Sequence, residues 1–341
     1  MYLSVSENAA RVVQPDAGRQ ATLQNSHLEI RMFYVGHGEA VLIRFPDGRA
    51  WFVDAGSGSG SSWTTNNALG AGLSQYLQAQ QLTLDALVMS HAHKDHAGAV
   101  PLLLQTPGYF FTAPLPLYRC QSSSWQSAGG WRAVFRDAIQ QDGDVVDEPI
   151  TQELRVVPIA DNVEAHLFAD PGSDVYKSLF LQLRFHDARL LFTGDAKCRY
   201  ENSLLTRFGP AVFRSDVLKI THHGSSSGTG NKLVSTVKPG IAIASTGDDG
   251  GHRLEADTLA RLGGRLGPRR VYETLVDGDI ILRTDGLVYG GDQGHPDGIL
   301  YEVTFNDLGH FAAVLPLPKW TLAKVNLHRD PGGGHPHCLP T

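Results

Sequence analysis

The run His91-Ala92-His93-Lys94-Asp95-His96 decides how this chain is read. Two imidazoles one residue apart can close on one metal ion from an extended tip, while the carboxylate and the third imidazole turn toward a second. A solvated polar turn would draw on Gly, Asn, Ser and Pro rather than on three histidines. Four ligand-type residues in six positions therefore predict a metal centre.

The flanking sequence supplies the frame. The apolar run Leu84 to Met89 reads as a buried strand that delivers Ser90 and the histidines, preceded by a helix over Ala68 to Gln81 with Leu69, Leu73 and Leu77 on one face. Upstream, Ala40 to Phe45 and Ala50 to Val53 flank the turn Pro46-Asp47-Gly48-Arg49 and predict a hairpin whose second strand ends at Asp54. Downstream, three more strand tips carry polar residues. Leu190 to Thr193 ends in Gly194-Asp195, Asp216 to Ile220 runs into Thr221-His222-His223-Gly224, and Ile241 to Ser245 leads to a Gly-rich loop before His252. A helix from about Arg199 to Phe208 and another from Glu255 to about Leu262 separate these strands.

The chain has 341 residues, is 42% hydrophobic and has a formal charge of -6, which suits one large α/β domain and argues against a generally basic nucleic-acid coat. Met1 to Gln20 has no signal-peptide core, and no stretch reaches the roughly 18 to 20 apolar residues of a membrane span, so the expectation is a cytoplasmic protein without membrane contact. Three scattered cysteines, Cys120, Cys198 and Cys338, indicate neither a disulfide framework nor a cysteine zinc knot. The expected organisation is a lead-in over 1–27, a catalytic domain over 28–289 with an aromatic-rich insertion around 109–150, and a C-terminal strand and tail over 290–341. In that tail His335, His337 and Cys338 could bind metal adventitiously.

The histidine run, Asp54, Asp195 and the pair His222-His223 resemble the metallo-β-lactamase superfamily over about Leu28 to Val288. The resemblance implies a four-layer αββα sandwich of two sheets and a dinuclear Zn2+ centre, with Mn2+ as the other candidate metal. In particular, Val35-Gly36-His37-Gly38-Glu39-Ala40, Phe52-Val53-Asp54-Ala55-Gly56, Leu191-Phe192-Thr193-Gly194-Asp195 and Val217-Leu218-Lys219-Ile220-Thr221-His222-His223-Gly224-Ser225 resemble the metallo-β-lactamase-like domain of bacterial competence (DNA-uptake) channel proteins. There His37 and Glu39 stand where the family usually has Gln and Asp, and Gly251-His252-Arg253 where it has Gly-His-Pro.

The implied ligands are His91, His93, Asp95, His96, Asp195 and His223, with Asp195 bridging two ions and Asp54 supporting the site. Two cations a few Å apart repel and need an anion between them, which gives the bridging carboxylate its physical sense. The histidine that many enzymes of this fold place before the bridging aspartate is missing between Gly172 and Ser178, and His166 nearby lies mid-strand. Asp95 and Asp195 are also expected to hold and polarise a metal-bridging hydroxide. One of His222 and His223 is expected to bind metal, His223 being favoured by resemblance to phosphorylcholine esterases of this fold, and the other, His222 on that reading, to hydrogen-bond the substrate or protonate its leaving group. His252 reads equally as an electrophile at a phosphate and as an exposed loop residue, with His37 a weaker case of the same kind. Cys198 reads as helix-start packing.

The resemblance favours a phosphodiesterase or nuclease, with DNA or RNA as candidate substrates. Arg261, Arg265, Arg269 and Arg270 are read as a solvated face rather than a nucleic-acid groove. The alternative is hydrolysis of a small ester, thioester or lactam in an apolar pocket built from Trp125 and Trp131. A catalytically inactive interaction protein of the same fold is disfavoured by the presence of both the histidine run and Asp195.

Overall fold

The structure, a computed structural model, describes residues 2–3, 11–13, 27–58, 63–106, 108–126, 130–151, 154–170, 178–247, 253–266, 270–289, 298–306 and 309–311. The predicted hairpin forms between Ala40–Arg44 and Arg49–Ala55, with Gly48 at φ 87° and Asp47 accepting from the Arg49 amide at 3.0 Å. It lies inside a twelve-stranded sheet. Leu28–Met32 flanks it on one side, and Thr83–Met89 adds in parallel on the other.

A seven-stranded sheet takes the strands from Leu154–Ala160 to Val271–Glu273. Its periodicity is visible in Phe180–Phe185: Leu181, Leu183 and Phe185 enter the core between the sheets, whereas Phe180 faces the helices outside. Ile241–Ala244 divides the same way, with Ile241 and Ile243 inward and Ala242 and Ala244 outward. The outward residues pack under Cys198–Phe208, Asn231–Val237 and Ala256–Leu266 through Leu204, Leu205, Leu233, Val237 and Leu262. On the first sheet, Leu69, Leu73, Leu77, Val100 and Leu103 of Trp63–Ala79 and Val100–Gln105 cover the other face. The order is helices, sheet, sheet, helices, the αββα sandwich that the resemblance implies.

Two segments sit differently from the sequence-based expectation. The segment around 109–150 continues the first sheet: Leu115–Cys120 pairs in parallel with Thr83–Met89, and Val145–Ile150 pairs in parallel with Leu115–Cys120. Arg119 donates to both carboxylate oxygens of Asp147, each at 2.7 Å, and ties these strands together. The boundary expected at 289 also falls inside a sheet, because Gly298–Asn306 lies between Asp279–Thr284 and Arg11–Val13. Alternating apolar residues in a lone distal strand carry no sign of their partner. Among the described residues no helix is long and apolar enough to cross a membrane.

The parallel strands of both sheets point their carboxyl ends to one edge of the sandwich. Arg49–Ala55 and Thr83–Met89 contribute from the first sheet, and Ala188–Phe192, Val217–Lys219 and Ile241–Ala244 from the second. Loops leaving such ends are free of ladder bonding and available for binding.

Candidate metal centre

Asp54, fully buried and at φ 56°, joins two strand ends. Its carboxylate accepts from the Ser90 amide at 2.7 Å and the Ser90 hydroxyl at 2.6 Å, and from His96 Nδ1 at 2.7 Å. That last bond places the His96 proton on Nδ1 and turns Nε2 inward as a donor for metal, the arrangement by which an outer carboxylate orients a ligating imidazole. Gly56 leaves room for the loop itself: a Cβ there would lie 2.5 Å from the Asp95 carbonyl carbon and from the Lys94 oxygen.

From the second sheet, His222 and His223 stand at φ 52°, a left-handed conformation that non-glycine residues adopt at a cost of about 1–3 kcal/mol and that recurs at functional sites. His223 Nδ1 donates to the Ser245 carbonyl at 2.9 Å, so its Nε2 also faces inward. It meets His96 Nε2 at 3.1 Å. Two nitrogens bound at 2.0–2.1 Å on a tetrahedral ion stand ~3.3 Å apart, so the spacing fits a shared cation.

Asp195 lies between two groups of donors. Its Oδ2 is 3.2 Å from His96 Nε2, 3.6 Å from His223 Nε2 and 3.7 Å from His91 Nε2. His91, His93 and Asp195 offer ligand atoms within 4.8 Å of one another, as do Glu39, His96, Asp195 and His223. Asp95 Oδ2 closes on the second group at 3.6 Å from His96 and 3.4 Å from His223. All six residues expected as ligands thus converge, and Asp195 is shared.

Whether metal fits can be judged from what the protein leaves unanswered. His91 Nε2 and Asp195 Oδ1 are buried without a hydrogen-bond partner among the described residues, a rare state for native polar atoms. Glu39, Asp54, Asp95 and Asp195 bring four carboxylates together against one buried lysine, Lys219, which is ion-paired with Glu39. Buried negative charge of that size calls for cations. Burial alone would push the Asp195 and Asp95 carboxyls up, but His96 and His223 outweigh it and hold both well below the usual carboxylate range. Burial, reinforced by His96, keeps His91 well below the ordinary imidazole value, so its lone pair is free at neutral pH. His96 goes the other way: burial pushes it down, yet Asp195, Asp54 and Asp95 together lift it well above. The residues fit bound metal.

His222 stands at the rim, 26% exposed, with Nε2 4.0 Å from Asp195 and Nδ1 2.9 Å from Ser227 Oγ. Burial lowers its pKa. His252 lies outside the described residues, as do His335, His337, Cys338 and Arg269. His166 is drawn aside by Glu164 at 2.9 Å, and Cys198 starts its helix with its amide bonded to the Ser227 carbonyl. Arg261 is not a solvated residue: its guanidinium donates to the Ser226 and Gly228 carbonyls at 3.0 and 2.9 Å and fastens the loop after His223. Two contributors carry no assigned role in the sequence reading. Lys219 donates to the Gly194 carbonyl at 3.1 Å beside Asp195, and a lone lysine within the apolar strand Val217–Lys219 was its only signal. Arg132 donates twice to the Ala92 carbonyl, at 3.0 and 2.7 Å, from a helix 40 residues away in sequence.

The chain is 28% identical over 215 residues to "Recombination protein 2" of Haemophilus influenzae, 27% over 240 residues to "ComE operon protein 3" of Bacillus subtilis, and 26% over 235 residues to "Competence protein ComA" of Neisseria gonorrhoeae. The matches cover 62%, 65% and 67% of this chain but only 23%, 29% and 28% of those relatives, so the chain spans about a quarter of their length. No family model matches. Among solved structures, the short form of human tRNase Z aligns at a TM-score of 0.38 and 13% identity, over 64% of this chain and 93% of its own.

Proposed function

We propose that this chain is a dinuclear zinc hydrolase acting on phosphodiesters, as a nuclease or a small phosphodiesterase. The observation that carries the reading is the sharing of Asp195 between two donor groups while its Oδ1 and His91 Nε2 have no hydrogen-bond partner among the described residues. His91, His93 and Asp195 would hold one ion, and Asp95, His96, His223 and Asp195 the other. Bound zinc supplies a water of near-neutral pKa and offsets negative charge on the attacked phosphorus.

The protein's own groups do the rest. Asp95 and Asp195 remain ionised and accept hydrogen bonds from the attacking water, and their fixed positions orient it. His222, held by Ser227 and open on its other side, is placed to bond a phosphate oxygen or to give a proton to the leaving group. Three protein donors at the first position leave room for an anionic substrate oxygen. The similarity to a protein named for recombination and another named for competence supports a nucleic-acid substrate.

An apolar pocket for a small ester finds less support, because Trp125 and Phe135 are buried and stack on one another at 5.0 Å, with Trp131 against Phe135 at 6.2 Å. The test is metal quantification together with hydrolysis of bis-p-nitrophenyl phosphate, single-stranded DNA, nitrocefin and a thioester by wild type, His93→Ala and Asp195→Ala. Both variants are expected to lose metal and more than about 100-fold of phosphodiester activity, beyond the loss typical of residues that merely orient ligands. Equal hydrolysis by all three proteins sinks the reading.

A further inference from the structure

His37 stands where the resembling domains carry glutamine, and its placement is not that of a surface histidine. Its Nε2 is 3.2 Å from Asp95 Oδ2, the same oxygen that lies 3.4 Å from His223 Nε2. His37, Asp95 and His223 offer three ligand atoms within 4.8 Å of one another, and the His37 ring meets the His223 ring edge-on at 5.0 Å.

The backbone around His37 is fixed to the loops that carry the other ligands. Gly36 and Gly38 take φ 72° and 151°, which side chains rarely adopt, and a Cβ on Gly38 would lie 2.5 Å from the Gly56 oxygen and 2.7 Å from Ser57 Cα. Glu39 donates its amide to the Asp95 carbonyl at 2.8 Å, and Gly58 donates to the His37 carbonyl. The Ser245 hydroxyl donates to the Gly38 carbonyl, while the Ser245 carbonyl holds His223. One residue thus fixes both the His37 loop and the orientation of His223.

We propose that His37 is a ligand of the second cation position, which makes that position closed and the position at His91, His93 and Asp195 the open, exchangeable one. The inference rests on the metal centre proposed above and deepens it. The donors divide unequally: His37, Asp95, His96, His223 and the shared Asp195 serve one ion, and His91, His93 and the same Asp195 serve the other. Sites filled by protein donors hold their metal structurally, whereas a site short of donors keeps a place for water or substrate. The two ions differ in duty.

The test reads metal rather than turnover. Protein loaded with two equivalents of Zn2+ is titrated with a chromophoric chelator, and retained metal is measured. Wild type is expected to surrender one ion readily and keep the other. Both His37→Gln and His37→Ala are expected to weaken the retained ion by about ten-fold or more and leave the labile one unchanged. A glutamine amide can still donate to Asp95, so retention by His37→Gln with loss in His37→Ala would reduce His37 to a hydrogen-bond partner and overturn the proposal. A second readout needs no variant. The first equivalent of Co2+ bound by wild type should give the weak visible bands of five-coordination, and the intense bands of a tetrahedral site would count against His37. Wild type that takes up less than one equivalent of metal overturns the metal centre itself, whereas two equivalents that no His37 substitution affects overturn only the present inference.

Discussion

Lys219 and Glu39 form a fully buried ion pair beneath Asp195, and the value of such a pair is seen when it is broken. Burial pushes the Glu39 carboxyl up despite Lys219, whereas for Lys219 Glu39 and Asp195 overcome burial and raise the ammonium further. Lys219→Met leaves Glu39 as an unanswered buried acid and is expected to cost about 3–5 kcal/mol in urea unfolding of the metal-free protein. Glu39→Gln with Lys219→Met should recover most of that loss, and a single variant as stable as wild type would show that the charge pair holds nothing. These residues mark the limit of what was legible at this scale. The ligand types were explicit in the sequence, because imidazole and carboxylate in a tight run have few other uses. Roles that depend on contacts across the fold were not, as with Asp195 and Lys219 meeting from adjacent strands.

At the scale of elements, strand tips were legible and helix assignments depended on context. The run Thr83–Met89 and the tip at Asp195 follow from apolar patterning and a following polar loop. The helix Trp131–Gln141 has a plain amphipathic pattern with Phe135, Ala138 and Ile139 buried, yet its use lies in Arg132, which reaches the Ala92 carbonyl between two of the proposed ligands, His91 and His93. Hydrogen bonds from a charged donor to one carbonyl fix that loop more firmly than neutral ones. Arg132→Ala should therefore lower affinity for the ion held by His91 and His93 by about ten-fold while sparing the ion at His96 and His223. Arg132→Lys, which keeps charge but loses the planar fork, should recover only part. Metal titration with chelator competition resolves the two ions, and equal weakening of both would contradict a local role.

Across the whole molecule, the centre joins loops from two sheets, with His91 to His96 arriving from one and Asp195, His222 and His223 from the other. Metal bound as proposed would therefore bridge the halves of the sandwich, and its binding free energy would add to folding stability. Protons compete for the same place. In the metal-free protein, His96 is held well above its ordinary value and faces His223 Nε2, so it carries a proton that metal must displace. A group raised in the folded state stabilises fully below its unfolded value of about 6.5 and loses that contribution as pH rises through the folded value. Asp95 and Asp195, held low, stabilise above about 3.8 and lose their contribution as pH falls through their folded values. The metal-free protein accordingly gains most from these groups between the two limits, and its gain from His96 fades on the alkaline side, where metal meets no competing proton. The gap in melting temperature between zinc-loaded and chelator-treated protein should then widen from pH 6 to pH 9, and calorimetric titrations of zinc near pH 7 in buffers of different ionisation enthalpy should report release of about one proton or more per chain. A gap independent of pH, with no proton released, would mean that metal displaces no proton from His96 and that the cation lies elsewhere.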